Sequence, residues 1–401
     1  MMIPRTASAK LMEMSEAMPV VTVYGPRQSG KTTLVKQLFP SFAYANLEHP
    51  AVRDLAVRDP EAFFSRYPAP VIIDEVQRVP DLLSYIQVKV DETGKNGQYI
   101  LTGSHQPMLR EKVSQSLAGR VAILTLLPLS IDELASVGKV FPMEEIVVKG
   151  FLPRVHAGRL SSSEVYEDYY RTYVERDVRQ LVMVENQHAF EVFVRLLAGR
   201  IGQLVNFESM AGDVGVSAHT LRKWLSVLEA SYIVFRLQPY YANFGKRLVK
   251  TPKVYFTDVG LAAHLLGIGT GAQVLRDPLV GGLFENLVVG EAMKWRSNGR
   301  RIEDFYFFRD SNGLEVDLVM EVARRLHLVE IKCAMTPNPS LERGIRRVAS
   351  ITGALSKTII YRGEGFPRHS SRVEAKNPAL LSNRDGYLLE LTGWTQGSQA
   401  S

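Results

Sequence analysis

Gly25, Pro26, Arg27, Gln28, Ser29, Gly30, Lys31 and Thr32 stand in a row as GPRQSGKT, with Thr33 directly after them. Two glycines at this spacing let a backbone curl until its N–H groups face inward. A lysine after the second reaches the β- and γ-phosphates of a nucleotide, and the following hydroxyl ligates Mg2+ at a helix N-terminus. The whole string, G-x-x-x-x-G-K-[ST], specifies nucleoside triphosphate binding with residues 25–33 as the cradle. Pro70 to Glu75 reads PVIIDE, a buried-type strand that ends in two carboxylates about fifty residues later. Asp74 fits the Mg2+ shell, and Glu75 is placed to orient and polarise an attacking water. Gln98 to Leu101 forms a third apolar run and leads into Thr102, Gly103 and Ser104. Short hydroxyls at the C-terminal edge of a parallel sheet are placed either to sense a γ-phosphate, which makes Thr102 a nucleotide contact, or to cap the next turn. His105 beside them reads as a neighbour, not a catalyst.

These groups need elements to position them. The phosphate loop follows the apolar strand Val20 to Tyr24 and precedes the helical stretch Leu34 to Leu38, and a further strand-like run covers Val121 to Leu127. The order predicts an α/β domain with a parallel sheet over residues 1–150. The strings GPRQSGKTTL, NLEHP, IIDEVQRVP, ILTGS and SLAGRVAILTLLPLS, in that order, resemble the prokaryotic AAA-type ATP-binding proteins that carry an uncharacterised C-terminal region. The resemblance covers essentially the whole chain. It implies an AAA+-like P-loop NTPase fold, ATP and Mg2+ as ligands, and assembly as a homo-oligomer, often a ring of six. It also makes Arg120, in SLAGR, the candidate that neutralises charge on a neighbouring subunit's nucleotide, although a guanidinium there also suits a local ion pair. Gly150-Phe151-Leu152-Pro153 resembles the Gly-x-x-Pro segment of the same family and its signalling relatives, where the proline lies near the base. Residues 151–189 then form a helical lid or linker; the tyrosines 166, 169, 170 and 173 fall at helical spacing and read as packing.

From 190 to 275 the pattern spells a helix-turn-helix with a strand pair. Asn206 to Ala211 predicts a short helix, Val214-Gly215-Val216 the turn, and Ser217 the N-cap of a helix over Ala218 to Glu229. That helix presents Arg222 and Lys223 outward and Leu221, Trp224, Leu225 and Leu228 inward. Tyr232 to Leu237 and Lys253 to Thr257 read as strands flanking the basic segment with Lys246, Arg247 and Lys250. A winged helix results, with double-stranded DNA as the expected partner through phosphate contacts from the wing, Lys253 included. The same fold serves as a protein contact in other AAA-type chains, and a basic hairpin is also simply well solvated.

Residues 276–401 carry a third constellation. Glu285 lies on a helical stretch, Asp317 in the alternating strand GLEVDLVM, and Glu330 with Lys332 on one face of LHLVEIKC. Two or three carboxylates and a lysine at strand ends suit one or two Mg2+ ions with an ammonium that orients water. The layout resembles the PD-(D/E)XK nucleases, which implies metal contacts from Glu285, Asp317 and Glu330 and a catalytic role for Asp317, Glu330 and Lys332. The proline of that motif is absent before Asp317, and such domains are also retained as inactive binding platforms. Cys333 reads as a small hydrophobe, since no second cysteine or spaced histidine supports zinc.

Composition sets the frame around these sites. A length of 401 residues allows two or three domains, and 46% apolar with 22% charged residues is globular. Val121 to Ile131 is too short and interrupted to span a bilayer, no signal-type segment opens the chain, and the lone cysteine excludes a disulfide framework, so a cytoplasmic protein is expected. Order is expected throughout except near Pro367 to Arg384 and after Trp394.

Overall fold

The computed structural model describes residues 3–104, 116–158, 160–178, 186–240, 251–301, 304–335, 341–362 and 373–376. His105, Lys246, Arg247, Lys250 and the tail after Trp394 lie outside the described residues.

Five strands form the N-terminal sheet: β1 (Val20–Tyr24), β2 (Ala43–Asn46), β3 (Val71–Asp74), β4 (Tyr99–Gly103) and β5 (Val121–Thr125). Their order is β2-β3-β4-β1-β5 and every pairing is parallel, with Val20 opposite both Tyr99 and Val121. Parallel strands need crossovers that cover both faces, so their sequences are apolar throughout instead of alternating. Val21 and Val23 of β1 pack with Leu11, Leu34 and Val35 on one side, while Val20 and Tyr24 pack with Phe63, Leu83 and Ile86 on the other. The C-terminal ends of β1, β3 and β4 therefore bring the phosphate loop, Asp74–Glu75 and Thr102–Ser104 to one edge.

Under that edge sits a buried ion pair that no local pattern announces. Arg5 bonds Glu133 at 3.1 Å and donates to the carbonyls of Ser29 at 2.6 Å and Leu127 at 2.7 Å. Glu133 belongs to a capping box with Ser130 at the start of the helix Ile131–Ala135, so a helix cap and the phosphate loop share one guanidinium. Both side chains are almost fully buried.

The helices Gln187–Gly199, Phe207–Val214 and Ala218–Ala230 follow, capped by Asn186, Asn206 and Ser217. Gly215 ends the second helix in the left-handed region, three residues beyond the expected end. The last helix buries Leu221, Trp224, Leu225 and Leu228 and leaves Arg222 and Lys223 exposed. Arg222 is paired with Glu208 at 2.8 Å.

β6 (Val234–Pro239) and β7 (Lys253–Phe256) form an antiparallel pair that does not stand alone. β6 continues into parallel pairing with β8 (Phe305–Arg309), Gln238 opposite Tyr306, and the sheet goes on through β9 (Glu315–Val322), β10 (Arg325–Lys332), β11 (Ser356–Tyr361) and β12 (Val373–Lys376). Its order is β12-β11-β10-β9-β8-β6-β7, with mixed directions. The boundary expected at 275/276 is thus bridged by backbone hydrogen bonds, and one apolar core runs from Leu129 to Ile360. The helix Val280–Gly299 lies at its centre. β12 falls inside the stretch Pro367 to Arg384 where no order was expected, because pairing with β11 supplies what its polar sequence lacks.

Arg5→Ala leaves Glu133 charged and unpaired in the interior, a loss of about 3–5 kcal/mol. We expect a lowered melting temperature together with weaker nucleotide binding, measured by thermal unfolding and calorimetry. An Arg5→Ala protein that melts and binds as the parent does would show that the pair carries nothing.

Candidate functional site

The turn after β1 is built by backbone conformations that few side chains tolerate. Gly25 has φ 150°, Gln28 φ 62° and Gly30 φ 92°. A Cβ on Gly25 would stand 2.1 Å from the carbonyl oxygen of Leu126, so that position takes glycine alone. Ser29 is buried with its carbonyl on Arg5, Arg27 lies 5.4 Å over the Tyr173 ring, and Thr33 is exposed as the third residue of the helix Lys31–Leu38. Pro26 and Gly25 offer their carbonyls to Lys31 Nζ at 2.8 and 3.0 Å. Burial pushes the Lys31 ammonium down to about 8, against the pull of Glu75 and Asp74.

Asp74 is the centre of the site. Thr32 Oγ1 donates to it at 2.9 Å and Tyr44 OH at 2.8 Å, and Thr102 donates to its other oxygen. Thr102 is fully buried and also accepts from the Glu75 N–H at 3.4 Å. Its hydroxyl braces the Asp74 carboxylate in this structure. Glu75 takes the left-handed conformation, φ 58°, unusual for a side chain that bulky. Gln77 Nε2 donates to the Glu75 carboxylate and to Ser104 Oγ at 2.9 Å, holding Glu75 toward the end of β4. Arg78 bonds Glu48 through two nitrogens at 2.6 and 2.8 Å, joining the IIDEVQR and NLEHP strings.

Gly150 has φ 58°, and a Cβ there would fall 1.9 Å from the Tyr166 hydroxyl. That glycine sets the turn that brings Pro153 to the phosphate loop: a Cβ on Gly30 would lie 3.9 Å from Pro153 Cγ. Phe151 N donates to Asp258 at 3.0 Å, and Tyr166 OH donates to the same carboxylate at 2.9 Å.

Arg120 lies elsewhere. Its carbonyl accepts from Val20 N at the N-terminal end of β1, a strand's length, roughly 15 Å, from the phosphate loop. Its exposed guanidinium pairs with Asp91 at 2.5 and 2.9 Å. It does not reach this chain's own phosphate loop.

The C-terminal residues do converge. Ile331 N donates to Asp317 at 2.8 Å, and Lys332 pairs with Glu330 at 2.7 Å and Asp317 at 3.6 Å. Glu285 enters from the helix Val280–Gly299 but meets Lys253 and Tyr255 of β7, at 2.8 and 2.6 Å. Lys253 also pairs with Glu315 at 2.5 Å and Asp317 at 3.6 Å. It is 2% exposed, so it cannot belong to a phosphate-binding wing; it is a core residue. Among the described residues no three histidine, cysteine or acidic side chains are disposed to hold a metal ion. The Lys253 ammonium stands between Glu285 and Asp317, two members of the expected metal set. Burial raises Glu285 and Glu330, with Asp317 adding to both. Burial alone would lower Lys332, but Asp317, Glu330 and Glu285 outweigh it and hold it up at about 12. Cys333 is half-buried beside Arg362.

Residues 17–135 match the AAA domain family, residues 142–272 a domain of unknown function (DUF8612), and residues 280–376 a second one (DUF4143). With the five-stranded parallel sheet and its loop, the N-terminal part is an AAA-type P-loop ATPase domain. An uncharacterized protein of Mycobacterium tuberculosis and one of Mycobacterium bovis are each 31% identical over 383 residues, which is 94% of this chain and 84% of theirs. The chain belongs to the family of these mycobacterial proteins. A Walker-type ATPase of Pyrococcus abyssi aligns at 15% identity and a TM-score of 0.43, over 65% of this chain and 94% of that one. No described helix is long and apolar enough to cross a membrane.

The buried lysine gives the site a pH signature. Only the ammonium attracts phosphate, and phosphate in turn raises its pKa, so binding takes up a proton near pH 8. We expect nucleotide affinity to be level near pH 7 and to weaken by about tenfold per unit well above pH 8. Calorimetry between pH 7 and 9.5, in buffers of different ionisation heat, measures both. A flat profile without proton uptake would contradict the assignment.

Proposed function

We propose that the chain is a Mg2+-dependent ATP-binding and hydrolysing switch that acts in association with double-stranded DNA. The observation that carries the ATPase part is the convergence of Lys31, Thr32, Asp74 and Glu75 on one sheet edge. Residues 25–33 cradle the phosphates. Thr32 Oγ1 and Asp74 Oδ2 are 2.9 Å apart, the separation two adjacent ligands of an octahedral Mg2+ need at about 2.1 Å each. These two residues would hold the ion, which supplies charge neutralisation at the phosphates. Glu75 orients the attacking water once Gln77 releases it. Arg120, facing away from its own loop, acts on a neighbour's nucleotide in a homo-oligomer, for which a ring of six is the family's precedent. Pro153 borders the base.

The functional division we propose is 1–150 for the ATPase, 151–189 for a helical lid, 190–275 for a winged helix and 276–401 for a nuclease-like module. Support for the winged helix is the capped pair Phe207–Val214 and Ala218–Ala230 followed by β6 and β7. Its exposed Arg222 and Lys223, with Lys246, Arg247 and Lys250, supply the phosphate contacts. Support for the nuclease-like module is the placement of Asp317, Glu330 and Lys332 on paired strands. The lysine within that cluster favours a second reading of this module, a catalytically inactive platform through which the nucleotide state is transmitted.

Glu75→Gln separates binding from turnover: we expect it to retain ATP in calorimetry while phosphate release falls to background, and Lys31→Ala to lose both. Loss of ATP binding in Glu75→Gln would make Glu75 structural. In the same preparation, duplex binding followed by fluorescence anisotropy should weaken with salt, and Lys246→Ala with Arg247→Ala should flatten that dependence by a slope of roughly 2. An unchanged slope would contradict DNA binding through these residues.

A further inference from the structure

The nuclease-like layout implies a divalent cation among Glu285, Asp317 and Glu330, and the side chains present do not fit one. Lys253 comes from β7, outside the four residues that make up that layout, and its two-residue alternation with Tyr255 aims both at Glu285. Its ammonium meets carboxylate oxygens of Glu285 at 2.8 Å, Glu315 at 2.5 Å and Asp317 at 3.6 Å, and lies 5.5 Å over the Phe307 ring. Lys332 covers Glu330 at 2.7 Å, and Arg309 covers the other side of Glu315 at 2.6 Å. Four carboxylates thus face three fixed cations. One buried acceptor, Glu330 Oε2, has no partner.

We propose that the Lys253 ammonium is a built-in replacement for a divalent cation, so that this module binds no metal in its native form and becomes a cation site when that ammonium is removed. A divalent ion needs oxygens at about 2.0–2.6 Å, inside the volume the ammonium now fills, so the two exclude each other. Expelling the ammonium is costly, because it is buried and would leave its own charge uncompensated. Raising the pH offers no route either: burial alone would lower this lysine, but Glu285, Asp317 and Glu315 outweigh it and raise it well above its usual value. The consequence is chemical and structural at once. Without a metal the module lacks the Lewis acid that this layout uses to activate water, and Lys253 ties β7 to β9 and to the helix Val280–Gly299 across the 275/276 boundary.

The inference stands apart from the nucleotide site and is tested without nucleotide, on the full chain, by Mn2+ titration followed through the paramagnetic resonance of free Mn2+. For the wild type we expect no Mn2+ binding that Asp317→Asn removes. Lys253→Ala should gain one bound Mn2+ per chain, lost again in Lys253→Ala with Asp317→Asn, and its melting temperature should rise with Mn2+ while that of the wild type stays level. If Lys253→Ala is unfolded in chelator, Mn2+ should restore its folded circular-dichroism signal. Asp317-dependent Mn2+ binding by the wild type overturns the proposal. So does a Lys253→Ala protein that folds without gaining such binding, or one that Mn2+ fails to refold.

Discussion

A single buried carboxylate, Asp74, draws the N-terminal domain together. Three hydroxyls from three different elements end on it: Thr32 from the start of the helix after the loop, Tyr44 from β2 and Thr102 from β4. An acidic group at 4% exposure is tolerated only when its oxygens are satisfied, and here each bond also ties another element to the end of β3. Lys36 lies 3.4 Å over the Tyr44 ring, so even the brace is held by a cation. The phosphate loop, Thr32 and Glu75 inherit their geometry from this point.

From there buried polar contacts lead away from the phosphate loop. Ser29 meets Arg5, Arg5 meets Glu133, and the helix capped by Ser130 donates from Ile131 N to Glu291 at 2.9 Å. Glu291 holds Lys294 at 2.6 Å, and Lys294 sits 3.2 Å over Phe151, two residues before Pro153. Glu291 and Lys294 belong to the helix Val280–Gly299, whose other end carries Glu285. One helix therefore has its first turns in the C-terminal cluster and its middle packed beneath the phosphate-loop edge. Buried charges of this kind are weak arguments for stability but strong constraints on arrangement.

The sequence revealed most where chemistry is local. GPRQSGKT, PVIIDE and the caps at Asn206 and Ser217 rest on backbone geometry within a few residues, and the strands and helices they announced are present with small shifts at the ends. Tyr44, Gln77, Arg5 and Lys253 were not legible, since each acts on partners brought in by the fold; Arg5 and Glu133 are 128 positions apart. Lys253 was the sharpest case. A lysine at a strand start after a basic segment reads as solvated, and only the packing of the helix Val280–Gly299 and the β9 carboxylates against it reveals that its strand is buried. Glu133 did carry a signal, the S-x-x-E capping box at Ser130, but nothing in that box points to Arg5.

We propose that Asp74 and Thr32 together hold a magnesium ion at bound triphosphate. Titrating ATP by calorimetry into the wild type and Asp74→Asn, each with Mg2+ and with chelator, tests it directly, given matching melting curves. Mg2+ is expected to tighten binding in the wild type and to add nothing in Asp74→Asn. An equal Mg2+ increment in both proteins, or no ATP heat in the wild type, would contradict it.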